Sequence, residues 1–159
     1  MIRKMTFAAA AIAALALASP SFAQSFSPSS GSASGSGTVR LRQTTTVNCN
    51  VSVTASPLSP GSAPIPTRSI TAGDFLCIAV APYGAWSAAV VPGSTTSINL
   101  TIGANTVAGQ PCYGTVTVAW DNTTHKATFN NNVLPPVNPA HPSCTILSGS
   151  ITLPTLSIL

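Results

Sequence analysis

An all-β domain, folded as an antiparallel β-sandwich of the immunoglobulin-like, Greek-key type, is the architecture this sequence predicts. Three observations point there. Apolar and polar residues alternate at period two in several short segments, the pattern of half-buried strands. After residue 23 no stretch carries the 3.6-residue apolar stripe of a helix. Pro, Gly and Asn punctuate the chain between the alternating segments, giving roughly seven to nine short strands, which fits a sandwich or a barrel. Two expected disulfides and the strand count favour the sandwich.

The first residues stand apart. Arg3 and Lys4 make a basic start, Phe7 to Ala18 is apolar, Ser19-Pro20 breaks the run, and Ser21-Phe22-Ala23 offers small residues for cleavage. This is the pattern of a secretory signal peptide, residues 1–23, with cleavage expected after Ala23. The apolar run is too short to cross ~30 Å of hydrocarbon. Residues 24–37 are rich in Ser and Gly and read as a flexible linker. Residues 38–159 then form a single domain, with no membrane span.

Thr38–Arg42 alternates and leads into the first strand. Thr44–Thr54 is the clearest strand of all, with Val47, Cys49, Val51 and Val53 on one face. Pro57, Pro60, Gly61, Pro64 and Pro66 make a loop that no central strand tolerates. An extended piece starts at Ile70 and turns at Gly73-Asp74. Phe75 to Val80, apolar on both faces, is expected as a buried strand. Pro82 to Ala85 is a turn, Trp86 to Val91 is extended, and Pro92-Gly93 stops it. Ser97–Gly103 alternates again. Gln110–Trp120 places Val116, Val118 and Trp120 on one face, and after the loop Asp121–Lys126 the chain returns through Ala127–Asn130 as a hairpin. Four prolines between Pro135 and Pro142 mark an irregular crossing. Thr145–Leu153 closes the domain, followed by a mostly apolar tail.

Cys49, Cys77, Cys112 and Cys144 lie in the exported part, where an oxidising compartment favours two disulfides. Of the three connectivities open to four cysteines, pairing of chain neighbours is favoured: Cys49–Cys77 and Cys112–Cys144. No C-x-x-C spacing suggests zinc or redox chemistry.

Charge is sparse. Charged residues make up 5% of the chain, against ~25% in ordinary soluble domains. Beyond the signal, the basic residues are Arg40, Arg42, Arg68 and Lys126, the acidic ones Asp74 and Asp121, and Glu is absent. That is too little clustered positive charge for a nucleic-acid partner. The surface must be made of Ser, Thr, Asn and backbone. Charge is the usual guard of exposed sheet edges, so its scarcity points to contact with other copies of the chain, a matrix or a hydrophobic interface.

Catalytic groups do not assemble. Asp74 and Asp121 sit beside turn residues, where Asp serves the backbone. His125 and His141 read as solvated. No Gly-x-Ser-x-Gly elbow is present. No catalytic residue, cofactor or metal ligand is assigned. Trp120 shares a face with valines and reads as core. Tyr83 and Trp86, in a Pro/Gly turn, are the candidate surface contact.

Thr46-Val47-Asn48-Cys49-Asn50, then Phe75-Leu76-Cys77 with Ala81-Pro82-Tyr83-Gly84-Ala85-Trp86, resembles the secreted bacterial family called protein activator of alkane oxidation, PraB. Trp120-Asp121-Asn122, Ala127-Thr128-Phe129-Asn130-Asn131 and Cys144-Thr145-Ile146 fit it too, covering about Thr44 to Leu153. The Pro-rich stretch from Pro57 to Pro66 departs from that pattern. The resemblance implies an exported protein tied to growth on hydrophobic substrates, surface adhesion or biofilm, with no catalytic residues to transfer. The expected function is therefore a non-enzymatic secreted surface or matrix protein. The alternative is a fibre or pilus subunit that polymerises by strand addition, donating Thr38–Val47 or Ile151–Leu159. A small secreted hydrolase using His125 or His141 is a third class.

Overall fold

Alternation at Val47, Cys49, Val51 and Val53 builds the strand from which the sheet extends in both directions. The computed structural model describes residues 23–159, so the signal segment lies outside the described residues except for Ala23. In chain order the strands are β1 (Phe26–Ser27), β2 (Ala33–Arg42), β3 (Thr46–Ala55), β4 (Ser62–Ile65), β5 (Thr67–Ala72), β6 (Ala81–Pro82), β7 (Trp86–Val90), β8 (Ser97–Asn105), β9 (Pro111–Asp121), β10 (Lys126–Leu134), β11 (Cys144–Thr152) and β12 (Ser157–Ile158). Along β3 every odd-numbered residue from Val47 to Ala55 is buried.

β2 and β3 pair as a hairpin along their full length. β7 to β11 form a meander in which each strand runs antiparallel to the next. β11 then returns to pair with β2. β5 lies on the far side of β3 and β4 on the far side of β7. The result is one sheet in the order β4-β7-β8-β9-β10-β11-β2-β3-β5, with β6 added beside β8. Its two ends, β4 and β5, are neighbours in sequence, separated by Pro66. A sheet whose first and last strands are joined by one residue must curl until its edges nearly meet. This corrects the expected sandwich: the fold is all-β and antiparallel, but it is a nearly closed, barrel-like sheet, and the β7–β11 meander replaces a Greek-key crossing.

Two irregularities bend the wall. Asn131 in β10 has a left-handed backbone (φ 51°). In β11 the register against β2 slips between Ile146 and Ser148. Buried positions change parity across both, from Ala127 and Phe129 to Leu134, and from Ile146 to Ile151. Such bulges add twist and let a strand turn a barrel corner.

The Ser/Gly stretch 24–37 is not a free linker, a second correction. Phe26 and Ser27 pair with Ile158 and Ser157, and Ala33–Gly37 is the first half of β2, paired with β3 throughout and with β11 at Ser36 and Gly37. Glycine is needed here for approach: a Cβ on Gly37 would fall on the Ser150 carbonyl, and one on Gly35 on the Thr152 carbonyl. Phe26, Leu58, Leu156 and Ile158, from the segments that flank the long strands, are buried in the common core. The segments proposed as strand donors, Thr38–Val47 and Ile151–Leu159, are thus already paired within the chain or packed into it.

Cys49–Cys77 and Cys112–Cys144 are both bonded, the favoured pairing. The second ties β9 to β11 across the end of β10, where the β9–β10 ladder has ended at Ala119 and Thr128 and the Asn132 amide donates to the Thr117 carbonyl instead. Inside the barrel the inward side chains leave an apolar cavity of about 80 Å³. At ~24 cal/mol per Å³ such a void costs about 2 kcal/mol.

Gly37→Ala is expected to lower stability by about 1–3 kcal/mol, the usual cost of overpacking, whereas Gly61→Ala, where a Cβ meets nothing within 4 Å, should be near neutral. Urea midpoints of the two variants check this, and equal midpoints contradict the close approach of β2 and β11.

Candidate functional site

Gly73 and Asp74 end β5 and turn the chain outward. A Cβ on Gly73 would lie 2.5 Å from the Asn48 carbonyl, so glycine lets the turn press against β3. Asp74 N donates to the Asn48 carbonyl at 2.8 Å, and Asn48 N and Nδ2 each donate to Asp74 Oδ2 at 2.8 Å. The next five residues, Phe75–Ala79, form a 3₁₀ helix. Its centre, Cys77, is fully buried and bonded to the equally buried Cys49 of β3.

Pinning Cys77 inward forces its neighbours out. Phe75 is 82% exposed, Ile78 68% and Leu76 42%. This overturns the expected buried strand over Phe75–Val80. Ala72, Ala79 and Ala81 are exposed beside them, and Asp74 is the single charge within residues 69–85. Side chains of this size rarely stand in water without a partner, and contiguous exposed apolar groups mark contact sites. The turn is an apolar knuckle, rigid because a disulfide and the Asp74–Asn48 bonds hold its base.

The aromatic pair expected at the surface is placed otherwise. Trp86 is 7% exposed and packs in the core, its Nε1 donating to the Tyr83 and Gly103 carbonyls at 3.0 Å each. Tyr83 is half-buried, edge-on to Tyr113 at 6.2 Å between ring centres. Tyr113 Oη donates to the Ala85 carbonyl at 2.7 Å and closes the turn. No aromatic platform forms there. The signal that marks the knuckle was present one segment earlier: a Gly-Asp turn directly before a cysteine-centred apolar run too short to be resolved by periodicity.

Arg68, given no role by its sequence context, spans the seam of the sheet. It donates from β5 to the carbonyls of Ile65 (3.1 Å), Pro66 (3.2 Å) and Gly84 (2.6 Å), and its guanidinium lies 6.0 Å from the Trp86 ring.

The other titratable candidates serve the scaffold. Asp121 accepts from the Thr124 hydroxyl (2.8 Å) and from Thr123 N (2.7 Å) at the β9–β10 turn. The Thr124 hydroxyl first, then the Thr123 N–H, holds its carboxyl below the usual value of 3.8. His125, expected to be solvated, is half-buried with a left-handed backbone. Its Nδ1 lies 2.7 Å from the Leu156 carbonyl, so that nitrogen carries the proton, and its own carbonyl receives Leu153 N. His141 is half-buried in the Pro-rich crossing. Among the described residues no three His, Cys, Asp or Glu side chains gather as a metal site, and no helix is long and apolar enough to cross a membrane. Two disulfides suit an oxidising, periplasmic or extracellular setting.

The chain matches the alkane oxidation protein activator PraA/PraB-like family over residues 1–159, and it belongs to that family. No curated protein and no solved structure matches it.

A carboxylate whose folded pKa is depressed stabilises the fold above its unfolded value, and that gain is lost as pH falls through the folded value. The stability gap between the natural protein and Asp121→Ala should therefore be widest near neutral pH and shrink as the pH falls below the usual carboxylate value of 3.8. Urea midpoints at neutral and acid pH measure it, and a gap that stays constant contradicts a depressed Asp121.

Proposed function

We propose that the chain is an exported, non-enzymatic protein that seats on hydrocarbon–water interfaces and brings cells or matrix into contact with alkane. The observation that carries this reading is the knuckle: three large apolar side chains held in water by a disulfide-anchored turn. The family description, an activator of alkane oxidation, supports it. An activator of that process without a catalytic constellation acts most simply by delivering contact with an insoluble substrate. Adhesion and biofilm growth on such a surface follow from the same contact.

Burying a Phe, Ile or Leu side chain contributes about 1.5–3 kcal/mol each. Three partly exposed ones therefore give a few kcal/mol, enough for reversible seating of one molecule. Many copies held in one matrix multiply this through avidity. A fibre built by strand addition ranks second, because the proposed donor segments already pair within the chain and would have to leave it.

The test is adsorption of the purified, disulfide-bonded protein to hexadecane droplets. Phe75→Ser/Ile78→Ser should lower the bound fraction by about tenfold or more, since a loss of ~1.4 kcal/mol is tenfold in an equilibrium constant. Val133→Ser/Val137→Ser, which removes exposed apolar groups elsewhere, should leave it unchanged. Equal adsorption of all three proteins, with circular dichroism intact, rejects the reading.

A further inference from the structure

The barrel interior holds a cavity of about 80 Å³ whose lining is apolar throughout. Well-packed interiors contain few voids larger than a water molecule. This one does not come from a single missing side chain. Ala55, Ala63, Ala88, Ala104 and Ala127 line it from five strands, β3, β4, β7, β8 and β10, while the bulky Trp86 and Trp120 line it as well. Five alanines thus share this space with the larger Leu, Ile, Val, Phe and Trp side chains that make up most of the rest of its lining. A cavity without polar groups stays dry and accepts apolar guests; one of ~150 Å³ takes benzene or xenon.

We propose that this cavity is a binding site for one short, uncharged hydrocarbon of about two to four carbons, a size scaled from the benzene-sized case. Aromatic and charged molecules are excluded, the first by size and the second because no lining group pairs with charge. Entry lies at the seam between β4 and β5, where no ladder bonds join the strands. Ile65 and Ile70 line the cavity from those two strands, and Arg68, on the same face of β5 as Ile70, ties the strands together. The site lies in the interior, apart from the knuckle, and stands on the cavity alone.

Trp86 and Trp120 are the only two tryptophans of the chain and both line the cavity, so indole emission reports occupancy. The experiment titrates the disulfide-bonded protein with n-butane in sealed cells, in parallel with 1-butanol and with xenon followed by 129Xe NMR. The expected result is a saturable change in emission with butane and a saturable xenon shift, with 1-butanol at least about tenfold weaker because its hydroxyl finds no partner. Ala88→Leu should abolish both responses with the fold retained; if that variant does not fold, Ala63→Val replaces it and should weaken them. Phe75→Ser/Ile78→Ser should respond like the natural protein, so loss of droplet binding and loss of cavity binding are separate outcomes. A linear, non-saturating response, equal binding of butane and 1-butanol, or an unchanged response in a folded cavity-filled variant overturns the site.

Discussion

Closure of one sheet on itself is the constraint on which the rest depends. β4 and β5 end the hydrogen-bonded path and are joined by Pro66 alone. No ladder seals them. Arg68 does so, donating to the carbonyls of Ile65 in β4, Pro66 in the link and Gly84 in the turn before β7, helped by Ser56 N donating to the Pro64 carbonyl at 2.9 Å. Hydrogen bonds to a charged donor contribute about 1.5–3 kcal/mol each when buried, less for a half-exposed group such as this one. Lysine would be a poor replacement, because the bonds run from two separate guanidinium nitrogens, Nη1 to Ile65 and Pro66 and Nη2 to Gly84, and an ammonium has one. The seam positions the core, which positions Cys49, which holds the knuckle.

Closure also changes the meaning of the low charge. Exposed edges are the liability that charged residues normally guard. A nearly closed sheet has almost no edge to guard, and its short β4 carries Pro64 on one end strand. Scarcity of charge is therefore no sign of self-association by itself. The apolar knuckle is the stronger sign of contact, since closure leaves it unexplained.

Much of the fold was legible in the sequence, because period-two patterns are local. β3, β8 and the β9–β10 hairpin stand where alternation places them. Both cystine pairs follow chain order. The sandwich failed because edge pairing is set by strands far apart in sequence and by bulges at Asn131 and Leu147, which periodicity does not see. The Ser/Gly stretch failed because composition cannot separate a free linker from a strand that needs glycine for close approach at Gly35 and Gly37. At the candidate site the error was one of direction. Phe75–Val80 is apolar on both faces, which reads as burial, yet a single anchored cysteine turns Phe75, Leu76 and Ile78 outward. Trp86 was misplaced for the mirror reason: a Pro/Gly turn suggests exposure, while its indole N–H finds two carbonyl partners inside.

The proposed contact with an insoluble phase rests on a disulfide-held apolar turn on a nearly closed, sparsely charged barrel, and the family description, an alkane oxidation activator, accords with it. The most direct measurement uses the phenylalanines of the domain: Phe26 and Phe129 are buried and Phe75 is exposed. In 19F NMR of fluorophenylalanine-labelled protein mixed with an alkane emulsion, the Phe75 resonance alone should shift and broaden. A Phe75 signal that stays sharp and unmoved while the protein is bound to the droplets, or Phe26 and Phe129 signals that collapse with it, would contradict seating through the knuckle of an intact barrel.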